Sequence, residues 1–230
     1  FNARSNLASN LVADQSLEKN ECLTSFSWKC NVNALIASPD SVQLDVLAVG
    51  YRDGTIILVS MPATGVFSSS TVSNKGTVVH CQNHQINDIR WFGHPVKFDD
   101  KNIFLFATAS NDRSARVFSC SRDKVSNVHP NPPLCVENIV TFVGHQKPTV
   151  QVAWHPNKQD VLLASASRDG TANVWDVMKK SAIANFRGCH GVPLRCIAFS
   201  PVNQCMICTG SDDQSIVVWD MYSQSSKLPP

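Results

Sequence analysis

Apolar residues fall in short runs along this chain, and polar turns close them. Val161-Leu-Leu-Ala-Ser-Ala-Ser167 stops at Arg168-Asp169-Gly170, and Thr171-Ala-Asn-Val-Trp175 follows at once. A strand-length apolar run, a glycine-bearing turn and a second run predict two antiparallel strands around a tight turn. The pattern recurs. Ser165 to Asp176 is matched by Thr209-Gly-Ser-Asp-Asp213-Gln-Ser-Ile-Val-Val-Trp219-Asp220, and aligning on the turn aspartate adds Val49 to Val59 around Asp53 and Thr108 to Phe118 around Asp112. Such self-similarity is the signature of an array.

A further strand precedes each aspartate and closes on an aromatic residue: Trp28 in SFSWK, Trp91 in INDIRWF, Trp154 in VQVAWHP and Phe199 in LRCIAFSP. The spacing from aromatic to aspartate is 25, 21, 15 and 14 residues, so the last two units are compact and the first two carry insertions. The units run over about 22–80, 81–140, 141–186 and 187–222. Residues 1–21 read as a remnant of a preceding unit or a loop, and 223–230 as a linker. The proline-rich stretch Ser119 to Pro133 reads as a surface loop, and Phe92 to Asn102 as a similar excursion.

The spacing of Gly144-His145, Ser165, Asp169 and Trp175 is that of WD-repeat blades, and the chain is identified as a member of that family by these residues. The resemblance implies an all-β propeller, here partial, with four blades of a ring that usually has seven. It also implies a relay in which the histidine contacts the aspartate, the serine links to the histidine, and the indole N–H anchors the serine. Each buried polar group so satisfied avoids a cost of about 1–3 kcal/mol. The fourth unit carries the relay as His190, Thr209, Asp213 and Trp219, with Cys189 between Gly188 and the histidine. The second keeps His84, Thr108 and Asp112 but has Phe118, which lacks the N–H donor. The first keeps Asp53 with Val49 and Val59 at the polar positions, so packing is expected to hold its sheet. Four units are too few to close a usual ring, and the chain starts at Phe1 without a methionine. The expectation is the C-terminal stretch of a larger propeller, with strand edges left open.

The text between motifs narrows the resemblance. Gly144-His145, Val152-Ala-Trp154-His-Pro156, Ser165-Ala-Ser167, Asp169-Gly-Thr-Ala172, Asn185-Phe-Arg-Gly188 and Cys196-Ile-Ala-Phe-Ser-Pro201 resemble the end of the second propeller in WD-repeat proteins of the survival-of-motor-neuron complex. The likeness extends from about Cys22 to Asp220. It implies a non-catalytic module that recognises small nuclear RNA, including its cap and Sm-site region, for Sm-core assembly. It further implies other subunits of that complex as partners, and the cytoplasm and nuclear bodies as locations. The family's RNA-contacting tyrosine falls at Arg168 here, and its lysine at Pro148, with Lys147 one place earlier.

Composition fits a folded chain, with 43% hydrophobic and 17% charged residues. A net charge of +2, from 20 basic and 18 acidic residues, means that any affinity for nucleic acid must come from local placement. Arg52, Arg113 and Arg168 flank the turn aspartates of three successive units, and by family geometry Lys147 opens on the same rim. They read either as a basic arc for RNA or as separate solvated turn residues. No run approaches 18 apolar residues, the length of a membrane-spanning helix, and no secretory signal is visible. Nine cysteines at irregular spacing suggest a reducing compartment. Cys205 and Cys208 have the spacing of metal ligands, but an offset of three in a strand puts their sulfurs on opposite faces. Neither a metal nor a cofactor is expected. The histidines and aspartates are tied to the repeat, no catalytic constellation stands outside it, and the sequence reads as no enzyme. RNA recognition and a generic protein-interaction scaffold are the two functions left open.

Overall fold

Each aspartate turn closes a hairpin, and each hairpin forms the middle of a sheet. The computed structural model describes residues 23–29, 44–62, 77–80, 84–98, 101–122, 134–187, 191–222 and 226–227. Among these, every regular element is a β-strand. The first sheet has the order β1 (Leu23–Lys29), β2 (Leu44–Tyr51), β3 (Thr55–Pro62), β4 (Thr77–His80). In the second, β5 (Ile86–Trp91), β7 (Lys101–Ser110), β8 (Ser114–Arg122) and β9 (Leu134–Val143) pair in that order, and β6 (Val96–Phe98) pairs with β7. The third runs β10 (Thr149–Trp154), β11 (Leu162–Ser167), β12 (Ala172–Asp176), β13 (Ser181–Phe186). The fourth runs β14 (Leu194–Phe199), β15 (Met206–Ser211), β16 (Ile216–Asp220), β17 (Ser226–Lys227). All pairs are antiparallel, and the four-sheet array is a partial β-propeller.

Four expectations are corrected by the ladders, the first being the surface loop from Ser119: Ser119 to Arg122 still pair with β9, and 123–133 lie outside the described residues. The excursion Phe92 to Asn102 is not all loop, because β6 continues along β7 where β5 ends, with Val96 opposite Ile103 and Trp91 opposite Phe106. The second unit does not end at residue 140, since β9 pairs with β8 as far as Val143 opposite Ser114. Part of the expected linker is the outer strand β17, whose Ser226 lies opposite Trp219 and so takes up the free edge of β16.

The runs are apolar throughout because both faces of the inner sheets are covered. On β7, Phe104 and Phe106 join Val46, Ala48, Ile56 and Leu58 of the first sheet. The alternating Leu105, Ala107 and Ala109 join Val152, Leu163 and Trp175 of the third. Period-two geometry sends neighbours to opposite layers, and both layers are dry. The third sheet repeats this through Ala164, Ala166, Ala172 and Val174, packed against Leu194, Ile197, Ile207 and Val217. The equivalent face of the fourth sheet is less covered, and Ile216, which matches the buried Ala172, is 62% exposed.

The inner strands β1, β5, β10 and β14 lie side by side, each with a bulge near its start, between Leu23 and Ser25, Ile86 and Asp88, Thr149 and Gln151, and Leu194 and Cys196. Side chains beyond the bulge tie one sheet to the next. The Val152 amide donates to Asp88 Oδ2 (3.3 Å), the Ile197 amide to Gln151 Oε1 (2.7 Å), and Trp154 Nε1–H to the Arg90 carbonyl (2.8 Å). Burial pushes the Asp88 carboxyl up, although Arg90 at 3.1 Å opposes that. Between the first two sheets the approach is so close that a Cβ on Gly50 would lie 2.9 Å from both Ile86 and Ile89.

The last residue of every aspartate turn is left-handed, with φ of 93° at Gly54, 74° at Arg113, 80° at Gly170 and 67° at Gln214. An L-side chain there is strained. Arg113→Gly and Gln214→Gly should therefore each stabilise the chain by about 0.5–1 kcal/mol, read as a higher urea midpoint. Alanine at the same positions should give no such gain.

Candidate nucleic-acid interface on the turn rim

The turn aspartates serve their own hairpins first. Asp53 accepts the Thr55 amide and hydroxyl at 2.8 Å each, and Asp112 accepts the Ser114 amide (2.9 Å) and hydroxyl (2.6 Å). Asp169 does the same with Thr171 (2.9 and 2.6 Å), and Asp213 with Ser215 (2.9 and 2.6 Å). An aspartate bonding two residues onward is an Asx turn, which fixes the hairpin locally. The signal, Asp-x-Ser/Thr four times over, stands in the sequence.

In the third sheet a polar chain runs inward from Asp169. The indole N–H of Trp175 donates to Ser165 Oγ (2.8 Å), leaving the serine hydroxyl to donate to His145 Nε2 (2.9 Å). His145 Nδ1–H then faces Thr171 Oγ1 (3.1 Å) and Asp169 Oδ2 (3.4 Å). This order of donors fixes the neutral tautomer with its proton on Nδ1. Burial lowers the imidazole below its ordinary value, outweighing the Asp169 charge that raises it; Arg187 lowers it further. Burial also pushes Asp169 up, but the Thr171 hydroxyl, the Gln146 and Thr171 amides and His145 together hold it below the usual carboxylate range.

The other relays differ. In the fourth sheet Trp219 Nε1–H donates to Thr209 Oγ1 (2.8 Å), while His190 lies outside the described residues. In the second sheet His84 is exposed, and Arg116 Nη2 takes Asp112 Oδ2 at 2.9 Å, so Arg116 holds the aspartate where His84 was expected to. The reason lies in the pairing of β7 with β8. Phe118 has no N–H for Thr108, whose hydroxyl is buried without a hydrogen-bond partner, and Arg116 stands opposite Thr108 on β8. Phe118 stacks on Phe106 instead, 5.1 Å between rings. In the first sheet Val49 and Val59 are buried with Leu47 and Tyr51, and packing replaces the relay.

These turns share a rim with the loops that enter the inner strands. Ser167 Oγ–H donates to the Lys147 carbonyl (2.9 Å), the Arg168 amide to the Pro148 carbonyl (3.0 Å), the Asn111 amide to the Gln85 carbonyl (2.9 Å) and the Asp212 amide to the Pro193 carbonyl (3.1 Å). Arg52 and Arg168 occupy the second place of their turns and Arg113 the fourth; all three are exposed, as is Lys147. Lys147 and Arg168 are thus brought together by hydrogen bonds. Arg52 and Arg113 sit one in each of the two preceding turns. Among the described residues no carboxylate pairs with any of the four, whereas Arg90, Arg116, Lys179 and Arg195 each hold an aspartate. Unpaired guanidinium groups along one edge can grip phosphates or stack on bases.

Arg195 escaped sequence reasoning. It is the bulge residue of β14, and it clamps Asp212 of its own turn through Nε (2.5 Å) and Nη2 (2.8 Å). The bulge residue of β5, Asn87, likewise reaches Asn111 (2.9 Å). The rule linking bulge to turn exists only once the strands are paired.

The WD domain, G-beta repeat family model matches residues 136–176 and 181–220. Each match starts in the outer strand of one sheet and ends in the third strand of the next. The chain is 31% identical to gem-associated protein 5 of Mus musculus over 188 residues, which is 80% of this chain and 12% of that protein. The figures for the Homo sapiens protein are 31%, 80% and 11%. Denticleless protein homolog A of Xenopus laevis is 35% identical over 79 residues, 34% of this chain and 11% of that protein. The chain therefore spans about an eighth or less of these relatives' length. No helix among the described residues is long and apolar enough to cross a membrane.

Proposed function

Because the chain belongs to the WD-repeat family, we propose that it is a non-catalytic RNA-binding module of the survival-of-motor-neuron complex. In this reading it recognises small nuclear RNA, with the cap and Sm-site region as the contacted parts, for Sm-core assembly. Other subunits of that complex are then its protein partners, and the cytoplasm and nuclear bodies its places of work. The observation that carries the reading is the run of exposed, unpaired Arg52, Arg113, Arg168 and Lys147 along one rim. The resemblance of the text between the motifs, which implies small nuclear RNA, favours RNA over other polyanions. A WD-repeat scaffold for protein partners is the coarser statement that the repeats support without the basic rim.

The test is titration of the full-length protein with capped small nuclear RNA at several salt concentrations. Arg168→Ala should weaken binding by about 5- to 150-fold if the guanidinium stacks on a base, since such stacking is worth about 1–3 kcal/mol. Arg168→Tyr should keep most of the affinity and flatten the salt slope by about 0.7, the share of one single-strand phosphate contact. Lys147→Ala should weaken all sequences alike. Identical affinities and slopes for wild type and all three variants would sink the basic rim and leave the protein scaffold ahead.

A further inference from the structure

The rim does not stay basic. Its fourth turn carries Asp212 and Asp213 where the first and third carry Arg52-Asp53 and Arg168-Asp169. Asp212 occupies the same turn place as Arg168, and its carboxylate is gripped by both Arg195 nitrogens. Two parallel N–H to oxygen bonds are the geometry with which arginine also takes a phosphate. The Arg195 hydrogen bonds, with its charge and a lesser pull from Arg168, hold the Asp212 carboxyl below the usual range against desolvation and Asp213, so it is ionised at neutral pH. In the third sheet the bulge residue is Val150, which cannot pair with Arg168. The third turn thus carries an arginine without a clamp, and the fourth a carboxylate with one.

We propose that Asp212 is a built-in stand-in for a ligand phosphate: it occupies Arg195 and ends the footprint of a bound anionic strand at the third blade. The strand runs along the turns holding Arg52, Arg113 and Arg168, and the fourth turn turns it away by like charge. The proposal rests on the RNA reading above and adds an end to the contacted arc.

The experiment uses the full-length protein, a mixed-sequence single-stranded RNA and inorganic polyphosphate as separate probes, with anisotropy read at several salt concentrations. Asp212→Asn should tighten RNA binding about 5-fold near 0.1 M salt and steepen the salt slope by about 0.7 for each contact released. Asp212→Glu, which can keep the clamp, should behave as wild type. The double variant Asp212→Asn with Arg195→Gln should return most of the way to wild type, because the gain runs through Arg195. Melting midpoints of all variants identify any that fail to fold, and Arg195→Gln alone should not tighten RNA binding, because it removes an occupied cation and leaves the Asp212 charge unpaired. If Asp212→Asn matches wild type with both probes while Arg168→Ala weakens RNA binding, the stand-in idea is overturned and the RNA reading survives. If Asp212→Asn tightens polyphosphate through Arg195 while RNA affinity ignores Arg168, the counter-charge holds and the RNA reading falls.

Discussion

Trp175→Ala should lower the free energy of unfolding by about 3–5 kcal/mol, the usual cost of deleting a buried large aromatic side chain. Trp175 is 5% exposed and joins two sheets. Its ring stacks on Phe142 of the second sheet, 4.8 Å between centroids at 17°, and its N–H anchors Ser165 in the third. Gly144 also leans on it, since a Cβ there would meet the indole at 3.1 Å. Trp175→Phe keeps the stack and removes only the donor, and Ser165 still holds His145, so the cost should drop to about 0.5–1.5 kcal/mol. Phe118 is the natural precedent, at the same place in the second sheet. Urea unfolding followed by far-ultraviolet circular dichroism separates the two variants. Equal losses for both would mean that the polar link, and not the packing, holds the blade.

Asp169→Ala is expected to cost about 1–3 kcal/mol for the groups it orphans. Its carboxylate receives the Gln146 amide (2.7 Å) and the Thr171 amide and hydroxyl, besides facing His145. The same site gives the chain an acid sensitivity whose sign follows from the shifts. His145 is lowered from 6.5 in the folded state, so the unfolded chain binds the proton first. Stability from this group is present above 6.5 and is lost as pH falls through the lower folded value. Asp169, lowered from 3.8, adds a further loss as pH falls below that value. Asp88 is raised from 3.8 and has the opposite sign: it favours the fold at low pH, and that contribution is lost as pH rises through its folded value. Urea midpoints should therefore decline on acidification below about pH 6.5 in wild type, and His145→Gln should abolish the part of that decline that lies above the carboxylate range. Asp169→Ala should deepen it, because the charge that favours the imidazolium has gone. A His145→Gln profile parallel to wild type would place the acid sensitivity elsewhere.

The turns were the most legible part of the sequence because their chemistry is local. An aspartate that bonds two residues onward needs only the residues beside it, and Asp53, Asp112, Asp169 and Asp213 announce their hairpins from spacing alone. The relay of the third sheet, whose members lie 10 to 26 residues apart, was legible only through family spacing. His84 was not, because its replacement by Arg116 depends on which residue stands opposite Thr108 across a ladder. β6 and β17 were missed because each is short, lacks an apolar run, and forms only by taking the free edge of a neighbour.

By itself, then, the sequence determined an all-β array of four hairpins, the residues that lock each turn, and which side chains at the turns carry positive charge. Period-two alternation and Asx chemistry act over a few residues, so they survive in the linear text. The tertiary structure alone decided where each unit ends, since a strand's sheet is set by the edge that accepts its hydrogen bonds. It also decided that both faces of β7 are buried, and that Arg195 meets Asp212 while no carboxylate pairs with the Arg168 guanidinium among the described residues. Those facts depend on a bulge and a register, which bring residues 17 apart in the chain into contact and which no local pattern encodes.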